Sequence, residues 1–249
     1  MATDGVYVYA IIRAGNPLPT GANGVGSPAA PLRTVRQGRV AAVVSEAPPN
    51  LRARRRDLLA HQELLLRLSD QGPVLPMRFG MVAPDEELVR GQLADREAEH
   101  LAVLDLLADG VEVNVKAFPA QNALGSLVAE DKHVRRLRDE ARRRPGYEAN
   151  VRLGEAVATA LDSRAAEAGR RVLRELTPKA RAVATGPEVQ GCVLNVSFLV
   201  DRADSDDFRD AAEQFAEAHR DRVELRLAGP LPCYSFVSAE GISVRTAGV

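Results

Sequence analysis

The sequence is poor in cysteine, in aromatic residues and in net charge, and each shortage excludes a class of protein. Of the 249 residues only Cys192 and Cys233 are cysteines, which favours a reducing compartment over a disulfide scaffold. Aromatic residues make up 4% of the chain and tryptophan is absent, so the core must be built from Val, Leu and Ala. The formal net charge of −1 gives no overall field that would attract nucleic acid or anionic lipid.

Residue patterns that bind metals, phosphates or acyl groups are also missing. The four histidines are scattered, and no CxxC or HxxxH spacing occurs. The glycine- and proline-rich stretch from Arg13 to Pro31 contains neither GxGxxG nor GxxxxGK[ST], so it is predicted to be a flexible loop. No serine lies in a GxSxG context. We therefore expect no catalytic residue, no cofactor and no metal, and a protein that is not an enzyme.

No long hydrophobic run occurs either. The first apolar run, Val6 to Ile12, is short and is not preceded by a basic segment. A membrane-spanning helix needs about 20 apolar residues. We expect no signal peptide, no membrane span and a cytoplasmic location.

Hydrophobic periodicity and turn signals predict the elements of the first half. They are a central strand at Val6–Ile12, a hairpin of Leu32–Arg36 and Arg39–Glu46, a helix at Arg54–Gln71, a strand at Val74–Phe79, and a second helix from Pro84 to about Asp109. The first helix carries Leu58, Leu65 and Leu68 on one stripe together with His61. A histidine in that position is more often a hydrogen-bonded core residue than a ligand.

From Val111 onward the predicted order is β-α-β-β-α-β, the ferredoxin-like pattern, in which the last strand lies beside the first. Val111–Ala117 alternates apolar and polar residues, so one of its faces is wet or packs on something polar. A long helix from about Glu148 to Thr177 carries an apolar stripe at three- and four-residue steps. The fold class is therefore α+β with two domains, residues 1–110 and 111–249. The C-terminal domain is ferredoxin-like and the N-terminal one a variant α+β sandwich, with long helices between them.

A run of basic residues lies between residues 120 and 144, interleaved with acidic ones. It is either a nucleic-acid patch or a solvated, charge-laced helix. No aromatic residue is interleaved with the charges, which favours the solvated helix. We therefore expect no nucleic-acid partner.

The stretch Gly72–Gly80, GPVLPMRFG, has two prolines in one apolar run. Proline lacks the N–H that a strand ladder needs, so this is an edge strand or a strand broken near Pro76. The stretch Gly229–Val237, GPLPCYSFV, has nearly the same pattern, with an aromatic residue shortly after its second proline. The two are either ordinary strand-entry turns or an internal duplication.

These stretches also carry a family resemblance. VLPMRFG, the opening VYVYAII and the closing GPLPCYSF together resemble the gas vesicle protein F/L family, from about residue 5 to about residue 238. The resemblance implies an accessory protein of gas vesicle assembly that works in association with gas vesicles and has no reaction of its own. The partners it implies are the small, hydrophobic gas vesicle shell protein and other gas vesicle accessory proteins.

The same motifs supply the candidate partner-binding residues. These are Pro76, Met77, Arg78, Phe79, Pro230, Leu231, Pro232 and Tyr234. Arg78, between Met77 and Phe79, either pairs with a buried carboxylate or contacts a partner. A ferredoxin-like module that binds a small ligand or regulates another protein is the alternative, since fold pattern alone does not define function. A deep pocket with convergent polar groups would favour that alternative, and an exposed apolar patch would favour the assembly factor.

Overall fold

The computed structural model describes residues 5–49, 51–120, 123–237 and 242–244. Its strands are β1 (Val6–Arg13), β2 (Arg33–Gln37), β3 (Val40–Glu46), β4 (Val74–Pro76), β5 (Val82–Ala83), β6 (Gly110–Pro119), β7 (Ala182–Thr185), β8 (Leu194–Asp201), β9 (Val223–Leu231) and β10 (Ile242–Val244). Its helices are α1 (Arg55–Ser69), α2 (Glu86–Asp95), α3 (Glu97–Leu107), α4 (Leu124–Glu130), α5 (Lys132–Arg143), α6 (Tyr147–Leu176) and α7 (Ser205–Ala218). The mixed α+β prediction is confirmed.

The chain forms two compact units. The first runs to Glu112 and includes the segment that starts at Gly229, and the second runs from Val113 to Ala228. The division into two domains, residues 1–110 and 111–249, stays a prediction, because compact units need not be domains that fold independently.

The first unit is built on an antiparallel sheet in the order β2-β3-β1-β4, and β5 also pairs with β1. Two hydrophobic clusters fill its core. One contains side chains of α1 with Tyr7, Tyr9 and Ile12, and the other contains side chains of α2 and α3 with Val6 and Ile11. A register shift between Val8 and Ala10 allows Tyr9 and the next residue, Ala10, to join the same cluster. The central position predicted for this strand is confirmed.

Two predictions for the helices of the first unit are wrong in detail. The second helix is broken at Arg96, whose backbone lies at φ −122° and ψ 20°. Leu93 and Leu101, on either side of the break, are both buried in the same hydrophobic cluster. Leu58, predicted to lie on the apolar stripe of α1, is 41% exposed. The buried face of α1 is centred near His61, and Leu58 lies at its edge, whereas Asp57 is buried.

The proline-marked strand is shorter than the predicted Val74–Phe79. The segment runs antiparallel along β1 as β4, leaves it after Met77, and returns as β5. Met77 donates its N–H to the Tyr9 carbonyl, and the Val8 N–H donates to the Met81 carbonyl, so only residues 78–80 leave the ladder. Gly80, at φ +91°, makes the return possible because this backbone conformation is strained for other residues.

The second sheet has the order β10-β7-β8-β6-β9. The last long strand, β9, therefore lies beside the first, β6, as predicted from the β-α-β-β-α-β order. The ferredoxin-like assignment itself stays a prediction. Phe208, Ala212 and Phe215 of α7 are buried, and the Phe208 ring lies 5.1 Å from that of Phe198 on β8.

The apolar stripe of α6 is buried along only part of its length. The fully buried residues are Ala165, Ala168, Gly169, Val172 and Leu176, all in the C-terminal half. Leu153, Val157 and Leu161 are only half-buried. The stripe predicted from periodicity therefore runs along the whole helix, but it is less deeply buried in the first half.

Candidate functional site

A buried network of polar side chains holds the VLPMRFG segment in place. The Tyr7 hydroxyl lies 3.0 Å from Nδ1 of His61, and Nε2 of His61 lies 2.9 Å from the Met77 carbonyl oxygen. Since a carbonyl can only accept, His61 donates from Nε2 and accepts the Tyr7 proton at Nδ1. The Gly80 N–H donates to the Tyr7 oxygen over 3.1 Å. The network thus joins both ends of the turn at residues 78–80 to β1 and α1.

A second tyrosine attaches the glycine-rich loop in the same way. The Tyr9 hydroxyl accepts from the Val25 N–H over 2.8 Å and lies 2.9 Å from Oγ of Ser45. The Gly26 N–H donates to the buried Asp57 carboxylate over 3.2 Å, and Arg56 pairs with the same oxygen. The stretch predicted to be a flexible loop is therefore fastened to the core at Val25 and Gly26.

Burial controls the protonation of this cluster. Desolvation raises the pKa of the Tyr7 and Tyr9 phenols and lowers the pKa of the His61 imidazole. His61 is accordingly neutral at pH 7, in agreement with its single N–H donor. The prediction that His61 is a hydrogen-bonded core residue rather than a ligand fits this geometry.

The turn at residues 78–80 and the strand after it present the exposed part of the segment. Arg78 is exposed and has no hydrogen bond or ion pair within the described residues. Phe79 is half-buried, with its ring 6.0 Å from that of Tyr7 and 5.7 Å from that of His61. Met81 and Val82 are 50% and 46% exposed. A cation therefore lies three to four positions before an exposed apolar pair.

The closing GPLPCYSF segment is fastened by a buried carboxylate. Glu112, 4% exposed, accepts the Ser235 N–H over 3.0 Å and the Ser235 hydroxyl over 2.7 Å. At Glu112 the polar face of β6 therefore packs on polar groups, which is one of the two possibilities predicted from the alternation of Val111–Ala117. Tyr234 packs against the same cluster as Phe79, and burial, followed by the Glu112 charge, raises its pKa to about 12.

The two proline-marked segments meet around one small cleft. Its lining includes Pro76 from the first segment and Leu231 and Pro232 from the second, together with residues of α1 and the start of β6. Its volume is about 20 Å³, room for a single water molecule. The cleft brings the segments together, but it is too small to bind a ligand.

The eight predicted partner-binding residues differ in accessibility. Pro76 and Pro232 are buried, Met77, Phe79, Leu231 and Tyr234 are half-buried, and Arg78 and Pro230 are exposed. Sequence reasoning missed Tyr7, Glu112, Met81 and Val82. The tyrosines stood in the VYVYAII motif, but their partners are distant in sequence; Met81 and Val82 lay just beyond the predicted end of the strand.

A larger cleft of about 280 Å³ lies between the glycine-rich loop and α1. Three of its charged residues already have partners in the protein, since Asp57 binds Gly26 and Arg56, and Arg67 donates to the Thr20 carbonyl over 2.6 Å. In the part of the chain that the structure describes, no three His, Cys, Asp or Glu side chains are grouped as metal ligands. Within those same residues, no helix combines the length and hydrophobicity required to cross a bilayer.

Known proteins resemble the chain over nearly its whole length. The family model described as "Gas vesicle synthesis protein GvpL/GvpF" matches residues 5–238. Gas vesicle protein F of Streptomyces sp. (strain CB03234) is 42% identical over 235 residues, covering 93% of this chain and 98% of that protein. Gas vesicle protein L of the same strain is 33% identical, covering 95% of this chain and 94% of that protein.

Two solved structures share the fold. The crystal structure of GvpF from Anabaena sp. PCC7120 has a TM-score of 0.76 at 24% identity and covers 95% of this chain and 99% of that chain. The crystal structure of GvpF from Microcystis aeruginosa has a TM-score of 0.72 at 22% identity and covers 95% and 100%.

Proposed function

The chain belongs to the GvpL/GvpF family of gas vesicle synthesis proteins, and from this membership we propose that it is a non-enzymatic assembly factor that binds the hydrophobic gas vesicle shell protein. The observation that carries the proposal is the family match over residues 5–238. We further propose that it acts in the cytoplasm, in association with gas vesicles and their other accessory proteins.

The turn and strand at residues 78–82 are the proposed contact. Arg78, Met81 and Val82 are exposed there, while Phe79 and the Tyr7–His61 pair support the turn from below. Apolar side chains on a rigid support bind an apolar partner with little loss of conformational entropy. A shell subunit would gain a sheltered surface from these side chains until it joins the wall.

The backbone edge of β4 is a weaker candidate than the sequence suggested. β4 has an unpaired outer edge in the sheet order, but Val74 and Pro76 of β4 line the small cleft together with Leu231 and Pro232 of the closing segment. An incoming strand would have to displace the closing segment. The proposed contact is therefore made by side chains of residues 78–82 rather than by strand addition.

Neither of the two clefts described above supports a ligand-binding module. The cleft beside α1 has polar groups, but Asp57 and Arg67 are bound to the glycine-rich loop. The small cleft between the proline-marked segments holds about 20 Å³.

Binding of purified shell protein to the full chain tests the proposal. Met81→Ser with Val82→Ser should weaken capture by roughly tenfold or more, because losing two buried apolar side chains from an interface costs about 1–3 kcal/mol. Arg78→Ala tests the cation separately. Leu124→Ser is the matched control, since Leu124 is 52% exposed and lies on α4, in the second unit.

Two outcomes would contradict the proposal at different levels. If the wild-type chain does not bind shell protein at micromolar concentration and leaves its aggregation unchanged, the assembly function is wrong. If the variants keep their fold by circular dichroism and bind as the wild type does, the contact lies outside residues 78–82.

A further inference from the structure

The solvent face of α5 is a basic stripe. Lys132, Arg136 and Arg143 are exposed and recur at helical spacing, opposite the buried Val134 and Ala141. Asp139 and Glu140 lie on the same face between Arg136 and Arg143, and basic residues outnumber them. The helix as a whole carries six basic and two acidic side chains, a formal charge of +4. This stripe is the basic run that the sequence singled out and that the proposed function does not use.

The solvent face of α7 is an acidic stripe of the same length. Asp206, Asp210, Glu213 and Glu217 are exposed at helical spacing, opposite the buried Phe208, Ala212 and Phe215. The helix carries five acidic side chains and one basic one, a formal charge of −4. From Lys132 to Arg143 and from Asp206 to Glu217, each stripe extends over about 16 Å.

Neither stripe is neutralised by the other within one chain. In the described residues no ion pair joins α5 to α7, although both helices belong to the second unit. Lys132 and Arg143 on one stripe, and Asp210 and Glu213 on the other, have no ion-pair partner there. Each stripe is therefore a concentrated charge in a chain whose net charge is only −1.

We propose that these stripes bind each other between copies, so that α5 of one chain contacts α7 of a second chain. The charges are opposite and equal in formal number, the lengths match, and the small net charge leaves little overall repulsion. The two surfaces differ, so the contact either closes reciprocally into a dimer or continues into an open chain. The contact is separate from the shell-protein surface at residues 78–82, so the two proposals fail independently.

A nucleic acid is the competing occupant of the basic stripe. It would use α5 alone, and the acidic stripe of α7 would oppose its approach. Self-association requires both stripes, so changing α7 distinguishes the two.

Sedimentation velocity on the purified full chain tests the proposal. At about 50 mM salt the average mass should rise with protein concentration, and at about 0.5 M salt it should return to that of the monomer, because screening weakens exposed ion pairs. Arg136→Glu with Arg143→Glu should abolish the rise. Asp210→Arg with Glu213→Arg should abolish it too.

Mixing the two reversed variants gives the decisive result. The first pair of substitutions brings the formal charge of α5 from +4 to 0, and the second brings that of α7 from −4 to 0. Each variant alone therefore lacks one of the two charged stripes and stays monomeric. In the mixture the native stripe of each variant meets the native stripe of the other, so association should return. Arg52→Glu with Arg55→Glu is the control, because it makes the same change in net charge as the α5 variant at exposed positions just before α1 and at its first residue, and it should leave association unchanged.

A monomer at all concentrations in low salt would overturn the proposal. So would association that survives either reversal, or a mixture that stays monomeric while both variants keep the wild-type circular dichroism spectrum. Binding of nucleic acid by the monomer that is lost on α5 reversal and kept on α7 reversal would assign the basic stripe to that partner instead.

Discussion

Tyr7 donates its hydroxyl hydrogen to Nδ1 of His61 over 3.0 Å, in a site where both side chains are at most 2% exposed. The same hydroxyl accepts from Gly80, and the same imidazole donates to Met77. Two residues far apart in sequence therefore determine where the turn at residues 78–80 leaves the sheet and where it returns.

Tyr7→Phe should destabilise the protein by about 1–3 kcal/mol, because it leaves Nδ1 of His61 and the Gly80 N–H without their shared partner in a buried site. Urea unfolding should show a lower midpoint with an unchanged slope. Tyr147→Phe is the matched control, since Tyr147 is 85% exposed, and should change stability by less than about 0.5 kcal/mol. Equal midpoints for the two variants would contradict the network.

Stability should fall as the pH drops below about 6.5, because burial lowers the pKa of His61 and of His100 in the folded protein. In the window between the folded-state pKa values and the unfolded value, the unfolded chain binds more protons. The free energy of unfolding therefore rises with pH in this window. Below the folded-state values these two histidines contribute no further slope.

His61→Gln should reduce that slope by the contribution of one histidine, since its amide can donate to Met77 and accept from Tyr7 without titrating. Urea unfolding at several pH values between about 7.5 and 5 measures the slope. His133→Gln, at an exposed position, is the control and should leave the slope unchanged. A wild-type slope retained in His61→Gln would show that the imidazole does not carry this dependence.

Val172→Asp should unfold the protein or destabilise it by several kcal/mol, about 3 or more, because it buries an unpaired charge. Val172 is fully buried. Val157→Asp, on the half-buried part of the same helix, should have a much smaller effect, since its carboxylate can reach water. Thermal unfolding of both variants measures the difference. Equal melting temperatures would contradict the division of α6 into a core half and an open half.

Local sequence patterns were sufficient where a segment's own periodicity decides its conformation. The hairpin at Arg33–Glu46, the strand Val6–Arg13, and the long helix Tyr147–Leu176 were all predicted close to their observed bounds. The spacing of apolar residues indicates which face of a segment is buried, and this does not depend on which other segment packs against that face. The mixed α+β class follows from the order of these segments.

The candidate site depended on contacts between distant segments, and periodicity does not report these. Pro76 and Gly80 predicted that the VLPMRFG strand would break, because one lacks an N–H and the other tolerates positive φ. The hydrogen bonds of Tyr7 and His61 and the pairing of β5 with β1 determine which residues after the break are exposed. Sequence reasoning therefore missed Met81 and Val82. Alternation placed Glu112 on a face that is either wet or packs on something polar, and only its partner Ser235, from the other end of the chain, decided between the two.

Chain chemistry alone thus indicated most of the elements, the α+β class, an edge strand or a break near Pro76, and the motifs that resemble the gas vesicle protein F/L family. Each of these depends on neighbours in sequence: proline's missing N–H, glycine's conformational freedom, and the alternation of apolar and polar side chains. Burial, protonation and exposure needed the folded chain, because they depend on what packs against a side chain. The neutral His61, the buried Glu112 and the opposite charges of α5 and α7 on separate exposed faces are properties of the three-dimensional arrangement.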